Sequence, residues 1–367
     1  MDTQYHPNDN EKRLLTYLGK NPEASTKELQ NHTAYRRKNS VVRKINQLKK
    51  QRIIVGSTHL IDYGKLCRNS VRRLICILEL NRPYQTVVSY LKLIQPLISL
   101  YPVLSAHKEI LFATFLTSDR KEVDSLLHLL KENEVINDYF MRPLDGRTIM
   151  ENPDFFGDLV PNLDNLLAPC QFPDITYGKH DTEWSECDIA VASHLHGEHE
   201  PMKLMDILRR ERILLNRTWT YDQIKYSYRK MLERHLIRKI HFVCPLPLTQ
   251  CSDFYLFLKT ADIASTERIL FNFARGARLY REYSRCENWG MIGCVAHPQF
   301  LLDLMYNLDQ IEEITEKELY HLRSPSLGIL YVGGHSEMKF YNTEDQTLEY
   351  PYHEFREHIK TKLETSQ

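Results

Sequence analysis

The chain repeats itself at a fixed spacing. Apolar side chains stand at Val41, Ile45, Leu48, Ile53 and Ile54, and the same five-position pattern returns at Ile224, Tyr228, Met231, Leu236 and Ile237. One offset of 183 residues (224 minus 41) carries every member of the first set onto the second. Each set spells an amphipathic helix running into a short strand. With 367 residues there is room for several domains. The repeat therefore predicts two copies of one architecture in a single chain.

The first copy is the easier to read. Glu11 to Lys20 predicts a helix with Leu14, Leu15 and Leu18 on one face, stopped by Asn21-Pro22. Ser25 with Glu28 three residues later is a capping-box pattern and opens a second helix. The third helix carries Val41, Ile45 and Leu48, and Ile53 to Asp62 follows as a wing. Three helices and a wing make a winged helix-turn-helix. From Ala34 to Gly56 there are eight basic residues and no acid. A charge run alone is more often a solvated face, but in a helix-turn-helix it predicts DNA contact. Arg36, Arg37, Lys38, Asn39 and Ser40 are placed to read base edges, and Arg43, Lys44 and Gln47 to meet phosphates.

Behind this unit, strand and helix patterns follow in the order β-α-β-β-α-β, which is ferredoxin-like. They are Val71 to Leu80, Tyr84 to Ile94, Leu100 to Lys108, Ile110 to Thr117, Asp119 to Glu132 and Val135 to Arg142. Residues 144–182 are proline-rich, and 151–185 hold seven acids and one base, so this stretch reads as a linker. The whole order then returns. The predicted fold class is α+β: tandem winged helix-turn-helix plus ferredoxin-like (βαββαβ) units, two copies in one chain. Expected bounds are 1–65 and 66–143 for the first copy, 144–182 for the linker, 183–247 and 248–326 for the second copy, and 327–367 for a C-terminal extension. The extension is expected to add strands at Gly328 to Gly333 and Met338 to Tyr341, then a helix from Tyr352 to Leu363.

In the second copy the window that would face DNA holds Thr220, Tyr221, Gln223 and Lys225, but also Asp222, which opposes phosphate. Arg209, Arg210, Arg212 and Arg217 precede it. The residues leave two readings open: a second DNA contact, or a structural or partner-binding winged helix.

Formal net charge is zero, so any affinity for nucleic acid must come from local patches. The eight cysteines include no CxxC pair, which removes zinc-ribbon spacing. His194-x-His196-x2-His199 is a weak metal pattern, and no metal or cofactor is expected. No catalytic Ser/His/Asp or Cys/His motif stands out, and the chain is expected not to be an enzyme. The first residues carry no apolar core of a signal peptide, and no apolar run reaches membrane length. A cytoplasmic protein with reduced thiols is expected, without membrane contact.

A third helix reading apolar-x3-apolar-x2-apolar, then I-I-x-G and a wing ending in Ile-Asp, resembles the Lrp/AsnC family of regulators. The matching residues are Val41, Ile45, Leu48, Ile53, Ile54, Gly56, Ile61 and Asp62. The resemblance implies a sequence-specific DNA-binding transcription regulator with double-stranded DNA as partner, a small-molecule effector and self-association. It places the effector at the strand turns of the ferredoxin-like units, here His107, Glu109, Glu287 and Trp289. Neither turn keeps the Gly that members often carry there. The same architecture also resembles the sirohaem decarboxylases, for which His107, Arg278, Arg281 and Arg285 would act on the tetrapyrrole carboxylates. A protein-binding scaffold is the third reading.

Overall fold

The computed structural model describes residues 5–196, 202–323, 331–332 and 336–365. The first repeat opens with α1 (Asp9–Lys20), α2 (Thr26–Asn31) and α3 (Lys38–Lys50), then β1 (Ile54–Ile61) and a single turn, α4 (Tyr63–Leu66). Next come β2 (Arg72–Leu80), α5 (Tyr84–Leu91), β3 (Leu97–Val103), β4 (Ile110–Thr117), α6 (Arg120–Glu132) and β5 (Ile136–Pro143), and a short β6 (Ile149–Glu151). The second repeat runs α7 (Glu186–Leu195), α8 (Leu204–Leu214), α9 (Tyr221–Glu233) and β7 (Ile237–Val243). Then follow β8 (Ser252–Thr260), α10 (Ile263–Asn272), β9 (Tyr280–Cys286), β10 (Trp289–Ala296), α11 (Pro298–Asp309) and β11 (Ile314–His321). The tail adds β12 (Tyr331–Val332), β13 (Tyr341–Asn342), β14 (Thr347–Leu348) and α12 (Tyr352–Thr365).

Local chemistry starts and stops these helices. Asn8 with Glu11, Ser25 with Glu28, Ser185 with Asp188 and Thr220 with Gln223 each form a reciprocal capping box. α3 differs, because its N-cap Arg37 makes no side-chain bond to the first turn. α3 and α9 end alike. Arg52 and His235 take left-handed φ angles of 55° and 56°. The Ile53 N–H then donates to Leu48 O, and the Leu236 N–H to Met231 O. These backbone bonds close a Schellman-type turn, and their positions keep the offset of 183 seen in the apolar pattern.

Two five-stranded sheets have the same plan. Their orders are β12-β3-β4-β2-β5 and β11-β8-β10-β9-β6. In each, four strands of one βαββαβ unit are joined at the same edge by a short fifth strand. The fold class is therefore α+β, with two winged helix plus βαββαβ units in one chain.

The chain groups into two compact units that do not follow chain order. One holds Met1–Thr58, Arg147–Ile175 and Lys239–Ser326; the other holds His59–Gly146, Thr176–Arg238 and Leu327–Gln367. The first winged helix thus shares a unit with the second ferredoxin-like sheet, and the second winged helix shares one with the first sheet. In the former, Leu14, Leu15, Val41 and Leu48 form a core with Phe155 and Val243. Phe254, Leu256, Ile269 and Leu304 form another with Leu163 and Leu166. In the latter, one core runs from Leu74 and Leu126 through Ile224 and Met231 to Phe355 and Ile359 of α12. The proline-rich stretch is thus partly core: Phe155, Leu163 and Leu166 are buried.

The strand expected as the wing, β1, pairs with β7 in a two-stranded sheet, and Asp62 at its end caps α4, accepting from the Gly64 and Lys65 N–H groups. Two local expectations are corrected. The strand expected over Leu100 to Lys108 runs from Leu97 to Val103. Met338 to Phe340 lie in a 3-10 turn (Ser336–Phe340) instead of a strand. There Met338 is buried and the Phe340 ring meets Tyr350 and Phe355, with centroids 5.4 and 6.1 Å apart. Of the strand expected over Gly328 to Gly333, only Tyr331–Val332 fall within the described residues.

Candidate functional site

The apolar stripe of α3 fixes which side faces out. Val41 and Leu48 are buried and Ile45 partly so. Arg36, Arg37, Lys38, Asn39, Ser40, Arg43 and Gln47 are all exposed. The preceding turn is held by the Gln30 side-chain amide, which donates to Arg36 O at 2.9 Å. The result is a cationic ridge at the start of a helix whose first-turn N–H groups have no side-chain cap. Backbone N–H groups and basic side chains in that position suit phosphate oxygens. Lys44, expected among the phosphate contacts, is turned inward. Its Nζ lies 2.6 Å from Glu11 Oε1, and the pair is largely shielded from water. Sequence spacing put Lys44 beside Arg43 on the outer side; the carboxylate of α1 draws it to the seam between the helices.

α9 is built differently. Ile224, Ser227 and Met231 are buried, and Tyr221 and Lys225 are exposed. Thr220 and Gln223 serve the helix itself. Gln223 Oε1 accepts from the Thr220 N–H at 2.8 Å, and the Gln223 N–H donates to Thr220 Oγ1 at 3.3 Å. Arg212 donates to Trp219 O at 3.1 Å, and the Arg217 guanidinium stacks 4.7 Å from the Trp219 ring centre. Sequence reading did not single out Ile213, Leu214 and Leu215, where α8 ends with its aliphatic side chains exposed. A strict period-3.6 count would have found them, as three adjacent aliphatics cannot all face one core.

The four residues expected at the strand turns divide between the two units, His107 and Glu109 in one and Glu287 and Trp289 in the other. Val103 pairs with Ile110, so residues 104–109 form a broad turn. His107 and Glu109 stand there, beside a hollow of about 450 Å³ lined also by Glu79, Arg82, Lys108 and Asn137. Lys108 Nζ lies 2.6 Å from Glu79 Oε2. Arg82 donates to Asn133 O and Glu134 O at 3.1 and 3.2 Å. Both signs of charge line the hollow, which suits a small polar molecule that itself carries both. Glu287 and Trp289 lie in the other unit. Trp289 pairs with Cys286 across a two-residue turn, with Glu287 at φ 56°, and that turn leaves no comparable loop.

Arg281 is 1% exposed. Its Nη2 lies 2.8 Å from Glu151 Oε2, and its Nη1 donates to Phe271 O at 3.0 Å and to Phe273 O. Arg278 donates to Pro245 O at 2.8 Å and stacks on Phe155. Arg285 pairs with Glu267 at 3.1 Å. Each is tied inside its own unit. His194 contacts Glu211 Oε1 at 2.6 Å, and His196 contacts Tyr63 and His59 O. His199 lies outside the described residues, and among those described no three metal-binding side chains converge. Burial pushes the Cys67 and Cys251 thiols up to about 12, which disfavours the reactive thiolate. No described helix is long and apolar enough to cross a membrane.

No known family model matches the sequence, and a comparison with curated proteins returns no match. Solved structures are similar in fold. The siroheme decarboxylase NirDL superposes over 98% of this chain and 99% of its own, with a TM-score of 0.50 and 12% identity. The same enzyme with an iron-uroporphyrin III analogue covers 93% of each chain at a TM-score of 0.48 and 11% identity. The leucine response regulatory protein LrpA of Mycobacterium tuberculosis covers 37% of this chain and 90% of its own, at a TM-score of 0.28 and 17% identity. At such identities the likeness is one of fold alone.

Proposed function

We propose that this chain is a sequence-specific DNA-binding transcription regulator that reads DNA through α3. The observation that carries the reading is the outer surface of that helix, where Arg36, Arg37, Lys38, Asn39, Arg43 and Gln47 are exposed without a single acid. Arg and Asn have the donor geometry to read guanine and adenine in the major groove, and the remaining cations fit phosphates. α9 does not repeat this surface, so one chain would supply one reading helix. His107 and Glu109, at the mixed-charge hollow, are the proposed effector contacts. Selection of bound duplexes from random DNA, followed by gel-shift titration, is the test. Enrichment of a motif whose binding is lost when Arg36, Arg37 and Arg43 are replaced together supports it; failure to enrich any motif refutes it.

A second reading is favoured by the full-length likeness to NirDL, which supports an enzyme more than it supports a regulator. In that reading the chain is a decarboxylase of a sirohaem-type tetrapyrrole. The arginines expected to hold the substrate carboxylates, Arg278, Arg281 and Arg285, already have partners in this chain, which is why the DNA reading leads. Titration with an iron tetrapyrrole separates the two: a shifted Soret band would support the enzyme.

A further inference from the structure

α11 is apolar on two opposite sides. Phe300, Leu304 and Leu308 are buried and form its core stripe. Leu302 and Tyr306 are 74% and 68% exposed. At about 100° per residue the pair lies about 180° from that stripe, so it points straight away from the core. A surface helix is ordinarily polar on that side. Scattered apolar residues on a surface need no explanation, but these two stand one turn apart and make a ridge.

The first repeat supplies the comparison. Counted from their N-caps, Asp119 and His297, α6 and α11 correspond at an offset of 178 residues (297 minus 119). The buried Leu126 and Leu130 then fall on the buried Leu304 and Leu308. Leu302 and Tyr306 fall on Asp124 and His128, which are exposed. Equivalent positions are thus polar in one copy and apolar in the other, so the βαββαβ fold itself does not call for Leu302 and Tyr306.

Charge decides what can cover the ridge. From Pro298 to Glu316 there are five acids and no Lys or Arg. Asp309 pairs with Lys317 at 2.5 Å and Glu316 with Lys259 at 2.6 Å. Asp303, Glu312 and Glu313 are exposed. The ridge is therefore apolar with an acidic margin, which repels phosphate backbones and anionic lipid surfaces. We propose that α11 is the docking surface for a basic amphipathic helix of another protein. A ridge of side chains four residues apart packs into the groove of a facing helix. The apolar side of the partner helix covers Leu302 and Tyr306, and Lys or Arg on its flanks face Asp303, Glu312 and Glu313. Removal of apolar area from water drives the contact, and the opposite charges set its orientation.

Fluorescence anisotropy with the full chain, without DNA, tests the inference. The probe is a labelled amphipathic peptide of leucine and lysine at helical spacing. One control peptide carries glutamate in place of lysine, and another has the lysine peptide's composition in scrambled order. The lysine peptide should bind, more weakly as salt rises, and both controls should bind about tenfold more weakly or worse. Leu302→Ser combined with Tyr306→Ser should weaken the lysine peptide about tenfold or more, with circular dichroism and melting unchanged, since both side chains are exposed. Asp303→Asn, Glu312→Gln and Glu313→Gln together should flatten the salt dependence. Absence of binding overturns the proposal, and so does equal binding of either control. Binding that survives the double substitution places the peptide elsewhere and overturns it too. Self-association that the double substitution abolishes would make a second copy the occupant, with the same consequence.

Discussion

Arg43 and Lys44 are neighbours in sequence, both basic and both on α3, yet the structure assigns them different work. Arg43 is exposed. Lys44 bonds Glu11 Oε1 at 2.6 Å, and Glu11 is itself the third residue of α1, where its other oxygen accepts from the Asn8 N–H at 3.2 Å and the Tyr5 hydroxyl at 3.4 Å. Replacing Lys44 by Ala strands a buried carboxylate. Breaking a fully buried ion pair costs about 3–5 kcal/mol. Here the capping bond, the tyrosine and the positive end of α1 still serve Glu11, so a loss of about 1–3 kcal/mol is expected. Arg43→Ala should stay within about 0.5 kcal/mol of wild type. DNA binding should divide the other way. Losing one phosphate contact at Arg43 lowers the slope of log affinity against log salt by about 0.9, while Lys44→Ala leaves the slope unchanged. Urea unfolding gives the stabilities, and gel shifts over a salt series give the slopes. A Lys44→Ala protein as stable as wild type, with a shallower slope, would refute the assignment.

Three further outcomes are expected. His241 is held neutral by burial, its pKa lowered to about 4 from an ordinary 6.5, with its Nε2 at 3.1 Å from Pro22 O. The unfolded chain takes up a proton below about pH 6.5 that the folded chain refuses, so this contribution is complete above that pH and is lost as pH falls towards 4, by at most about 3 kcal/mol. Urea midpoints of wild type and His241→Gln against pH should converge on the acid side, and parallel curves would count against the assignment. Arg281→Met should destabilise by about 1–3 kcal/mol, because the Phe271 and Phe273 carbonyls lose their donor while the partly exposed Glu151 can turn to water; a stable variant that loses tetrapyrrole affinity would favour the enzyme reading instead. Arg52→Gly and His235→Gly relieve left-handed backbone at equivalent positions, and each should raise stability by up to about 1 kcal/mol in thermal melts. A gain at only one of them would mean that the two turns are not equivalent.

Much of this protein is decided within a few residues of chain. Ser25 with Glu28 starts α2 and Thr220 with Gln223 starts α9 through bonds that span three residues. The apolar stripe from Val41 to Leu48 closes within two turns of helix. Such signals survive in any context, which is why the helix boundaries, the βαββαβ order and the offset of 183 are legible without coordinates. What sequence could not decide is which copy joins which. Both winged helices carry the same stripe and both sheets the same alternation, so the pattern is degenerate between partners. Only non-local packing selects the unit in which Leu14 and Val41 share a core with Phe155 and Val243. The pairing of β1 with β7 is settled in the same way. The same limit holds at the sites. A basic residue one step along a helix is equally basic, and only the carboxylate of Glu11 turns Lys44 from an outward cation into an inward one. Arg281 reads as a free cation in the sequence, and becomes a buried brace once Glu151 and the carbonyls at the end of α10 close around it.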